Sequence, residues 1–450
     1  MPLPHLVSRQ VRGNMSNRGA NGMTNSEETH FRPARIGALS SFSLRPPGSF
    51  ALCPDPALGD ESTRDLEYIS TTVREATRPF GVLGLILTGS VARGEGALIA
   101  QPSGISRWLS DLEFQVVIPG GRRTADIDAA LRHTEQAINH APANRQRGLR
   151  VGFNSIRVPQ LARLRPAIFS REMLEHGKLL WGEPSALPLP QWWCEGRVDI
   201  PLLDAFRLLN NRIVQQLDAR LRCEGCANTD LLPAYTLQKF WIELATSLSV
   251  FLGCYRTSYR ERRPALSTLL KAQPQLFGEI GQLLIARLTE AIEVKLGHAA
   301  PSACSNEAFN EGAIVAATVW KWETEQLLAR PSADYDWRSV GARIRQLEPY
   351  TQKARDWTRL LMRRASPREL LRNVGAALRA GSLANAIYSA GCLLHFHWDD
   401  IGSGDAGGAE ILTNLSSLFR IRPTVGAQGR RAVATAVTEA WDRHLRFAPR

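Results

Sequence analysis

The residues best suited to chemistry in this sequence are two carboxylates, Asp111 and Glu113, which stand two positions apart. They frame the start of an apolar segment, Leu112–Ile118, whose composition is typical of a β-strand. Side chains at i and i+2 on a strand point to the same face, so the two carboxylates are expected side by side. Neighbouring carboxylates resist ionising together unless a cation lies between them, and a divalent metal is the usual cation. The pair alone is equally typical of a solvent-exposed strand start.

A glycine-serine turn precedes the acid pair in the sequence. Gly89 and Ser90 follow the apolar segment Leu83–Thr88, and Ser90 is suited to cap a short helix that runs through Arg93. A helix N-terminus presents free N–H groups, and Gly89 lets a ligand approach the backbone closely, so the turn is suited to phosphate. Arg93 would add a guanidinium one helical turn further on. Because Mg²⁺ binds carboxylates together with substrate phosphates, the turn and the acid pair predict a site for a metal and a nucleotide.

The elements that position these residues belong to an α/β unit followed by a helical part. Apolar segments predict three strands, which are Leu83–Thr88, Leu112–Ile118 and Leu149–Val158. A helix is predicted from Ala125 to His140, with Thr124 as its cap. Beyond the prolines at Pro184–Pro190, apolar residues recur at i, i+3, i+4 and i+7, which predicts amphipathic helices. These helices are Leu202–Leu221, Leu231–Tyr255, Ala265–Leu296 with a break at Pro274, Asn306–Leu328 and Tyr350–Arg364.

Four parts of the chain are therefore expected. Residues 1–60 are rich in Ser, Asn, Gly, Arg and Pro and have no hydrophobic period, which predicts a disordered leader. Residues 61–190 are expected to form the α/β domain, residues 191–330 a helical bundle domain, and residues 331–450 a C-terminal helical region.

The turn and the acid pair, taken together, resemble a known signature. Gly89-Ser90 after an apolar strand, followed by Ser110-Asp111-Leu112-Glu113-Phe114, resembles the motif of the DNA polymerase β-like nucleotidyltransferase superfamily. Its members include aminoglycoside nucleotidyltransferases and the minimal nucleotidyltransferases of bacteria. The resemblance covers roughly residues 62–183. It implies an α/β (α+β) nucleotidyltransferase-like catalytic domain with a small mixed β-sheet, followed by an α-helical domain.

The resemblance also implies an activity and its residues. Asp111 and Glu113 would be the catalytic residues and would bind Mg²⁺, as a two-metal site, while Gly89 and Ser90 would hold a nucleoside triphosphate. Arg93 and Ser110 are further candidates for nucleotide binding. An acceptor hydroxyl would attack the α-phosphate and pyrophosphate would leave. The predicted function is thus a Mg²⁺-dependent nucleotidyltransferase that uses an NTP as its substrate and an unidentified hydroxyl compound as its acceptor.

Two features of the chain depart from the family pattern. Residues 91–110 make a longer connection than the family usually has, so the segment Ala97–Trp108 is expected to loop out, which costs little free energy. Family members also carry a third carboxylate on a later strand, and here the corresponding face carries Arg150, Gly152 and Asn154. The acids between Phe114 and Ser170 are Asp126, Asp128 and Glu135, all on a predicted helix.

A stripe on a later helix offers replacements for the missing carboxylate. Tyr235, Lys239 and Glu243 stand at i, i+4 and i+8. If this stripe faces the cleft, Lys239 would meet phosphate and Glu243 would act as the base. The alternative is an ordinary solvated helix face. The nearby segment Tyr255–Arg263, rich in arginine and tyrosine, is suited either to RNA or phosphate or to a salt-bridged helix end.

The composition of the chain indicates which classes of partner and compartment to expect. The chain has 55 Lys and Arg residues against 43 Asp and Glu residues, a net charge of +12, which favours anionic partners such as nucleotides or RNA. Its seven cysteines are scattered, which indicates a reducing compartment, and no segment is apolar enough to span a bilayer. We therefore expect a cytoplasmic protein without a membrane partner. Two other functions fit the sequence: a catalytically inactive nucleotide-sensing or protein-interaction module of this fold, and an arginine-rich RNA-binding helical protein.

Overall fold

A computed structural model gives the fold of the chain. It describes residues 42, 44–45, 48–101, 103–121, 124–196, 199–224, 231–302, 304–329, 343–344, 346–348, 383–419, 424 and 426–446. These residues belong to a compact unit that covers Ser40–Arg450. Within it, a mixed α/β region is followed by a helical region.

The described part of the α/β region contains six strands. They are β1 (Gly84–Thr88), β2 (Leu98–Ala100), β3 (Ser106–Trp108), β4 (Leu112–Ile118), β5 (Val151–Arg157) and β6 (Lys178–Gly182). Four of them form one sheet in the order β5-β4-β1-β6, while β2 and β3 form a separate antiparallel pair. All five residues of β1 are buried, which explains why it is a continuous apolar run rather than an alternating one.

The register of the sheet determines which residues lie together at each end of its strands. Strand β4 pairs antiparallel with β1, opposing Thr88 to Glu113, and parallel with β5, opposing Glu113 to Gly152. The end of β1 and the starts of β4 and β5 therefore lie at the same end of the sheet. The glycine-serine turn leaves β1 at this end, and Asp111 enters β4 there.

Helices cover the sheet and build the rest of the molecule. In the α/β region they are α1 (Gly59–Thr77), α2 (Gly89–Ala92), α3 (Thr124–His140), α4 (Pro142–Gln146), α5 (Val158–Leu161), α6 (Ile168–His176) and α7 (Gln191–Cys194). In the helical region they are α8 (Leu202–Cys223), α9 (Leu231–Phe251), α10 (Tyr259–Ala272), α11 (Gly278–Lys295), α12 (Asn306–Leu328), α13 (Leu383–Phe396), α14 (Trp398–Ser403), α15 (Ala406–Phe419) and α16 (Gly426–Trp441).

Separate apolar clusters stabilise the two regions. Helix α1 packs Leu66, Ile69 and Val73 against the sheet in one cluster. In the helical region, α8, α9 and α12 share a second cluster that includes Phe206, Phe240 and Trp320. Amphipathic helices bury one stripe in this way, which is the pattern that their sequences predicted. None of the described helices combines the length and the apolar character needed to cross a membrane.

The predicted strands and helices are largely confirmed. Strand β4 and helix α12 have the predicted bounds, and α3 begins one residue earlier, at Thr124. The predicted break at Pro274 separates α10 from α11, although α10 already begins at Tyr259. The predicted helix Tyr350–Arg364 lies outside the described residues.

Two expectations differ from the structure. The segment Ala97–Trp108 does not simply loop out, because β2 and β3 pair within it and Leu98 and Trp108 are buried. The leader expected over residues 1–60 is described only in its last part, and there Phe42 and Leu52 are buried in the core of the α/β region. These residues gain order from contacts with the distant sheet, which a local composition does not reveal.

Candidate functional site

The glycine-serine turn lies directly against the acid pair. Gly89 has a positive φ of 71°, and a Cβ atom at this position would lie 3.2 Å from Oε2 of Glu113. Glycine is therefore required here both for the backbone conformation and for the close approach. Thr88 fixes the turn by donating a hydrogen bond from Oγ1 to the carbonyl oxygen of Glu113, at 3.1 Å. The structure thus brings Gly89 and Glu113 together, as their types and spacing predicted.

The neighbouring strand β5 contributes a cation and an open space. Nε of Arg150 lies 2.9 Å from Oδ1 of Asp111, and both side chains are about two-fifths exposed, at 41% and 43%. Opposite Glu113 stands Gly152, where an added Cβ would meet nothing within 4 Å. The position on β5 where the family pattern has a third carboxylate therefore holds a glycine. Arg150, two residues earlier, neutralises the charge of Asp111.

The three acids between Phe114 and Ser170 do not fill this space. They lie on α3, as predicted. Asp128 accepts a hydrogen bond from Oγ of Ser155 at 2.6 Å, and Glu135 accepts one from the backbone N–H of Phe153 at 3.3 Å. Side chains alternate along a strand, so these two β5 residues point away from the face that Gly152 shares with Glu113. Glu135 is also partly buried, which raises its pKa.

The stripe on α9 faces the sheet. Tyr235 is only 6% exposed, and its hydroxyl lies 3.4 Å from Oγ of Ser110, the residue before Asp111. The interpretation of the stripe as a solvated helix face is therefore wrong for Tyr235. Ser110 itself is buried, and its Oγ accepts a hydrogen bond from the N–H of Ala97 at 2.8 Å. Ser110 thus links the acid pair to the helical region.

A lysine that the sequence analysis did not select completes this contact. Lys295, the last residue of α11, is 4% exposed and donates hydrogen bonds to Oγ of Ser110 and to the hydroxyl of Tyr235, both at 2.7 Å. Burial lowers the pKa of Lys295 to about 8, although the negative charge of Asp111 opposes the shift. Among the described residues, no carboxylate forms an ion pair with it. Its positive charge therefore contacts only neutral hydroxyl groups.

A second lysine lies one turn along α9. Burial, and then the positive charge of Arg212, lower the pKa of Lys239, while Asp111 raises it. Within the part of the chain that the structure describes, its ammonium group has no hydrogen bond or ion pair. Glu243 follows one turn later, 3.4 Å from Nη2 of Arg212. We call Asp111, Glu113, Tyr235, Lys239 and Lys295 the lysine cleft.

The surroundings of Arg93 differ from those of the two lysines, because carboxylates contact it directly. Its side chain is 2% exposed, with Nε 2.9 Å from Glu95 and Nη1 2.9 Å from Glu172. Glu172 also lies 3.3 Å from Nη2 of Arg262, and the Arg93 guanidinium stacks on the ring of Tyr259 at 4.6 Å. We call these five residues the Arg93 network. Here Arg93 joins two parts of the protein, which differs from its predicted contact with a phosphate.

The Arg93 network also fixes the start of α10. The carboxylate of Glu95 accepts hydrogen bonds from Oγ of Ser258, at 2.7 Å, and from the backbone N–H of Tyr259, at 3.0 Å. A carboxylate at a helix N-terminus satisfies free N–H groups and interacts favourably with the helix dipole. For Arg262, which is 1% exposed, the interpretation of the Tyr255–Arg263 segment as a salt-bridged helix end is therefore confirmed.

One signal in the composition would have pointed to the lysines. The chain contains only six lysines among its 55 basic residues, and two of them, Lys239 and Lys295, meet at the lysine cleft. Glu95 and Glu172 had no comparable signal, because their partners come from distant parts of the chain.

The candidate donors for a metal at this site are the two carboxylates of the acid pair. The described residues contain no group of three or more His, Cys, Asp or Glu side chains placed to hold a metal ion. Two carboxylates nevertheless suffice for Mg²⁺ where substrate phosphates supply further oxygens. No protein-family model matches the chain, and no curated protein matches it.

Proposed function

We propose that the chain is a Mg²⁺-dependent nucleotidyltransferase that transfers a nucleotidyl group from an NTP to a hydroxyl acceptor and releases pyrophosphate. One observation carries the proposal: Lys295, which has no carboxylate in contact among the described residues, binds Ser110, the residue before Asp111. The charge of Asp111 also acts on the pKa of both Lys295 and Lys239. A buried cation that lacks a counter-ion favours an anionic ligand. The adjacent acid pair favours a cation, and a metal-bound triphosphate supplies both charges.

The acid pair fits the metal. Asp111 and Glu113 offer carboxylate oxygens, which Mg²⁺ prefers, and both side chains are exposed at one end of the sheet. When bound, Mg²⁺ would neutralise phosphate charge and orient the attacking and leaving oxygens. Arg150, which pairs with Asp111, would keep part of that carboxylate's charge balanced before the nucleotide arrives.

From the remaining contacts we infer roles for the predicted nucleotide-binding residues. Gly89, which has no side chain, would let a phosphate approach the backbone, and Ser90 follows it in the short helix α2. Ser110 acts through Lys295, whose ammonium group it orients. Lys295 and Lys239 would bind the β- and γ-phosphates and stabilise the charge of the departing pyrophosphate. Arg93 would position the turn from behind, through Glu95 and Glu172.

Glu243 is our candidate for the general base. It lies on the α9 stripe with Lys239, and its negative charge acts on the pKa of Lys295, so it belongs to the same neighbourhood. Gly152 leaves the usual strand position for this role empty of a carboxylate. Replacing Glu243 by Gln should lower kcat by about 10²- to 10⁴-fold and change nucleotide binding little, because a general base acts on the acceptor proton.

The test is calorimetric titration of the four NTPs with and without Mg²⁺, followed by an assay for pyrophosphate release. We expect binding that depends on Mg²⁺ in the wild type and is lost in Asp111→Asn. Asp126→Asn is the matched control, because Asp126 is exposed on α3, away from the site. Binding that is equal in Asp111→Asn and the wild type would refute the proposal.

A catalytically inactive nucleotide-binding protein is the second candidate. The ion pair between Arg150 and Asp111, together with the glycine at position 152, favours it, since both depart from a full set of metal-binding carboxylates. Such a protein would bind NTP and release no pyrophosphate with any acceptor. An RNA-binding protein would instead show affinity that falls steeply with salt and is unaffected by Asp111→Asn.

A further inference from the structure

The acid pair has a different neighbour on each side. Strand β1 brings Gly89 to one side of β4, where Thr88 opposes Glu113. Strand β5 brings Arg150 to the other side, where Val151 opposes Leu112. If the triphosphate occupies the Gly89 side, the Arg150 side faces the direction from which an acceptor reaches the α-phosphate, since transfer needs attacking and leaving groups roughly in line.

A cavity of about 170 Å³ opens on the Arg150 side. Its lining includes two charged side chains, Arg107 and Arg150, and two residues of α9, Leu232 and Tyr235. An engineered cavity of about 150 Å³ in another protein holds one benzene molecule, so this space has room for a group about the size of one six-membered ring. The cavity therefore suits a small molecule rather than a polymer.

The charge of the cavity is positive. Among the residues that the structure describes, no acidic side chain lines it. Arg107 makes no hydrogen bond or ion pair with any residue that the structure describes, so its guanidinium is available to a ligand. Arg150 is held by Asp111 at 2.9 Å and by the carbonyl oxygen of Leu109 at 3.1 Å. A ligand that touches both arginines would thus lie next to the acid pair.

We propose that this cavity binds the acceptor, and that the acceptor is a small organic anion with a ring, a hydroxyl and a phosphate or carboxylate group. A guanidinium pair recognises such oxyanions with two hydrogen bonds each, and it repels an ammonium group. A cationic acceptor such as an aminoglycoside is therefore disfavoured. The transfer part of this inference rests on the proposed function, whereas the binding part does not.

The chemical step balances with the NTP as its co-reactant. The acceptor hydroxyl oxygen forms a bond to the α-phosphorus, and the bond from that phosphorus to the bridging oxygen of the β-phosphate breaks. Pyrophosphate leaves with the electron pair of the broken bond, and the hydroxyl proton passes by way of water to the carboxylate of Glu243, which is not among the residues that line the cavity. Arg107 touches only the anionic group of the acceptor, so it determines specificity and takes no part in bond making.

Four sugars of one ring size test the inference by calorimetric titration of the full chain. Glucose 6-phosphate and glucuronate carry the two anionic groups, glucose is neutral, and glucosamine is cationic. We expect at least one of the two anionic sugars to bind, and we expect no binding of glucose or glucosamine. Arg107→Gln should weaken this binding at least tenfold, since a hydrogen bond to a charged group is lost. Arg145→Gln is the matched control, because Arg145 is exposed on α4 and does not line the cavity.

Three outcomes would overturn the proposal. The first is that neither anion binds, and the second is that glucose binds as tightly as the anions. The third is anion binding that survives Arg107→Gln and is lost in Lys295→Met, because the anion would then occupy the lysine cleft. Failure of the proposed function is recognised separately, since Asp111→Asn would leave Mg²⁺-dependent NTP binding unchanged while Arg107→Gln still weakened the binding of the anionic sugar.

Discussion

Two charged clusters join the α/β region to the helical region, and they differ in how their charges are balanced. In the Arg93 network, each buried guanidinium contacts a carboxylate, with Glu172 shared between Arg93 and Arg262. Burial raises the pKa of Glu95, but the charge of Arg93 and the hydrogen bonds to Glu95 outweigh burial, so the net pKa is lowered. In the lysine cleft, Lys295 contacts two hydroxyl groups, and burial lowers its pKa to about 8.

This difference separates a structural role from a binding role. Taking a charge out of water is unfavourable unless an opposite charge and hydrogen bonds replace the water. The Arg93 network meets this condition within the protein, so it needs no ligand and holds the two regions together. Lys295 does not meet it, because its hydrogen-bond partners among the described residues are two neutral hydroxyl groups. The lysine cleft should therefore gain stability when an anion and its metal bind.

The largest expected effect is on the stability of the Arg93 network. Glu95→Gln should lower the free energy of unfolding by about 3–5 kcal/mol, because Arg93 stays charged and buried with one carboxylate fewer. Glu113→Gln is the matched change in the lysine cleft and should alter it by less than about 1 kcal/mol, since Glu113 is exposed. Denaturant titrations measure both. Similar losses in the two variants would remove the distinction between the clusters.

The pH dependence of stability sharpens the comparison. Lys295 has a pKa of about 8 in the folded chain, and an unfolded lysine titrates near 10.4. Between these values the unfolded chain binds more protons, so the free energy of unfolding should rise with pH, by about 3 kcal/mol in total from this group. Below pH 8 the protein keeps the full free-energy cost of burying the charged form of Lys295. Unfolding curves of wild type and Lys295→Met should therefore diverge above pH 8, and parallel curves would contradict the predicted shift.

Nucleotide affinity gives a somewhat smaller effect. Lys295→Met and Lys239→Met should each weaken binding of the preferred NTP with Mg²⁺ by about 10- to 100-fold, because each removes a charged hydrogen bond to phosphate. Lys271→Met is the control, since Lys271 is exposed on α10. Calorimetric titration at pH 7 measures the affinities. An equal loss in Lys271→Met would indicate a general effect of net charge instead of a site.

The smallest effect concerns an exposed pair. Arg222 lies 3.0 Å from Asp218 on α8, and the two side chains are 49% and 29% exposed. Because water screens such pairs, Arg222→Gln should change the free energy of unfolding by less than about 0.5 kcal/mol. Thermal and chemical unfolding measure it. A loss as large as that in Glu95→Gln would show that pairing alone, without burial, stabilises this protein.

The sequence by itself determined the elements and the faces of their side chains. Helix α12 and strand β4 follow from apolar periods that lie within each segment, and Asp111 and Glu113 share a face because strand side chains alternate. The glycine at position 89 indicated a turn that a ligand approaches closely. All of these are local properties, since backbone geometry links residues only a few positions apart.

The tertiary structure alone decided the charge balance of each cluster. Lys295 meets Ser110 across 185 positions of sequence, and Glu95 caps a helix 164 positions later, so neither contact has a local signal. The burial of Phe42 likewise depends on distant partners, which include Ile86 and Val117 of the sheet. Whether a charged residue holds the fold or binds a ligand depends on which opposite charges reach it, and folding brings those charges together from distant positions.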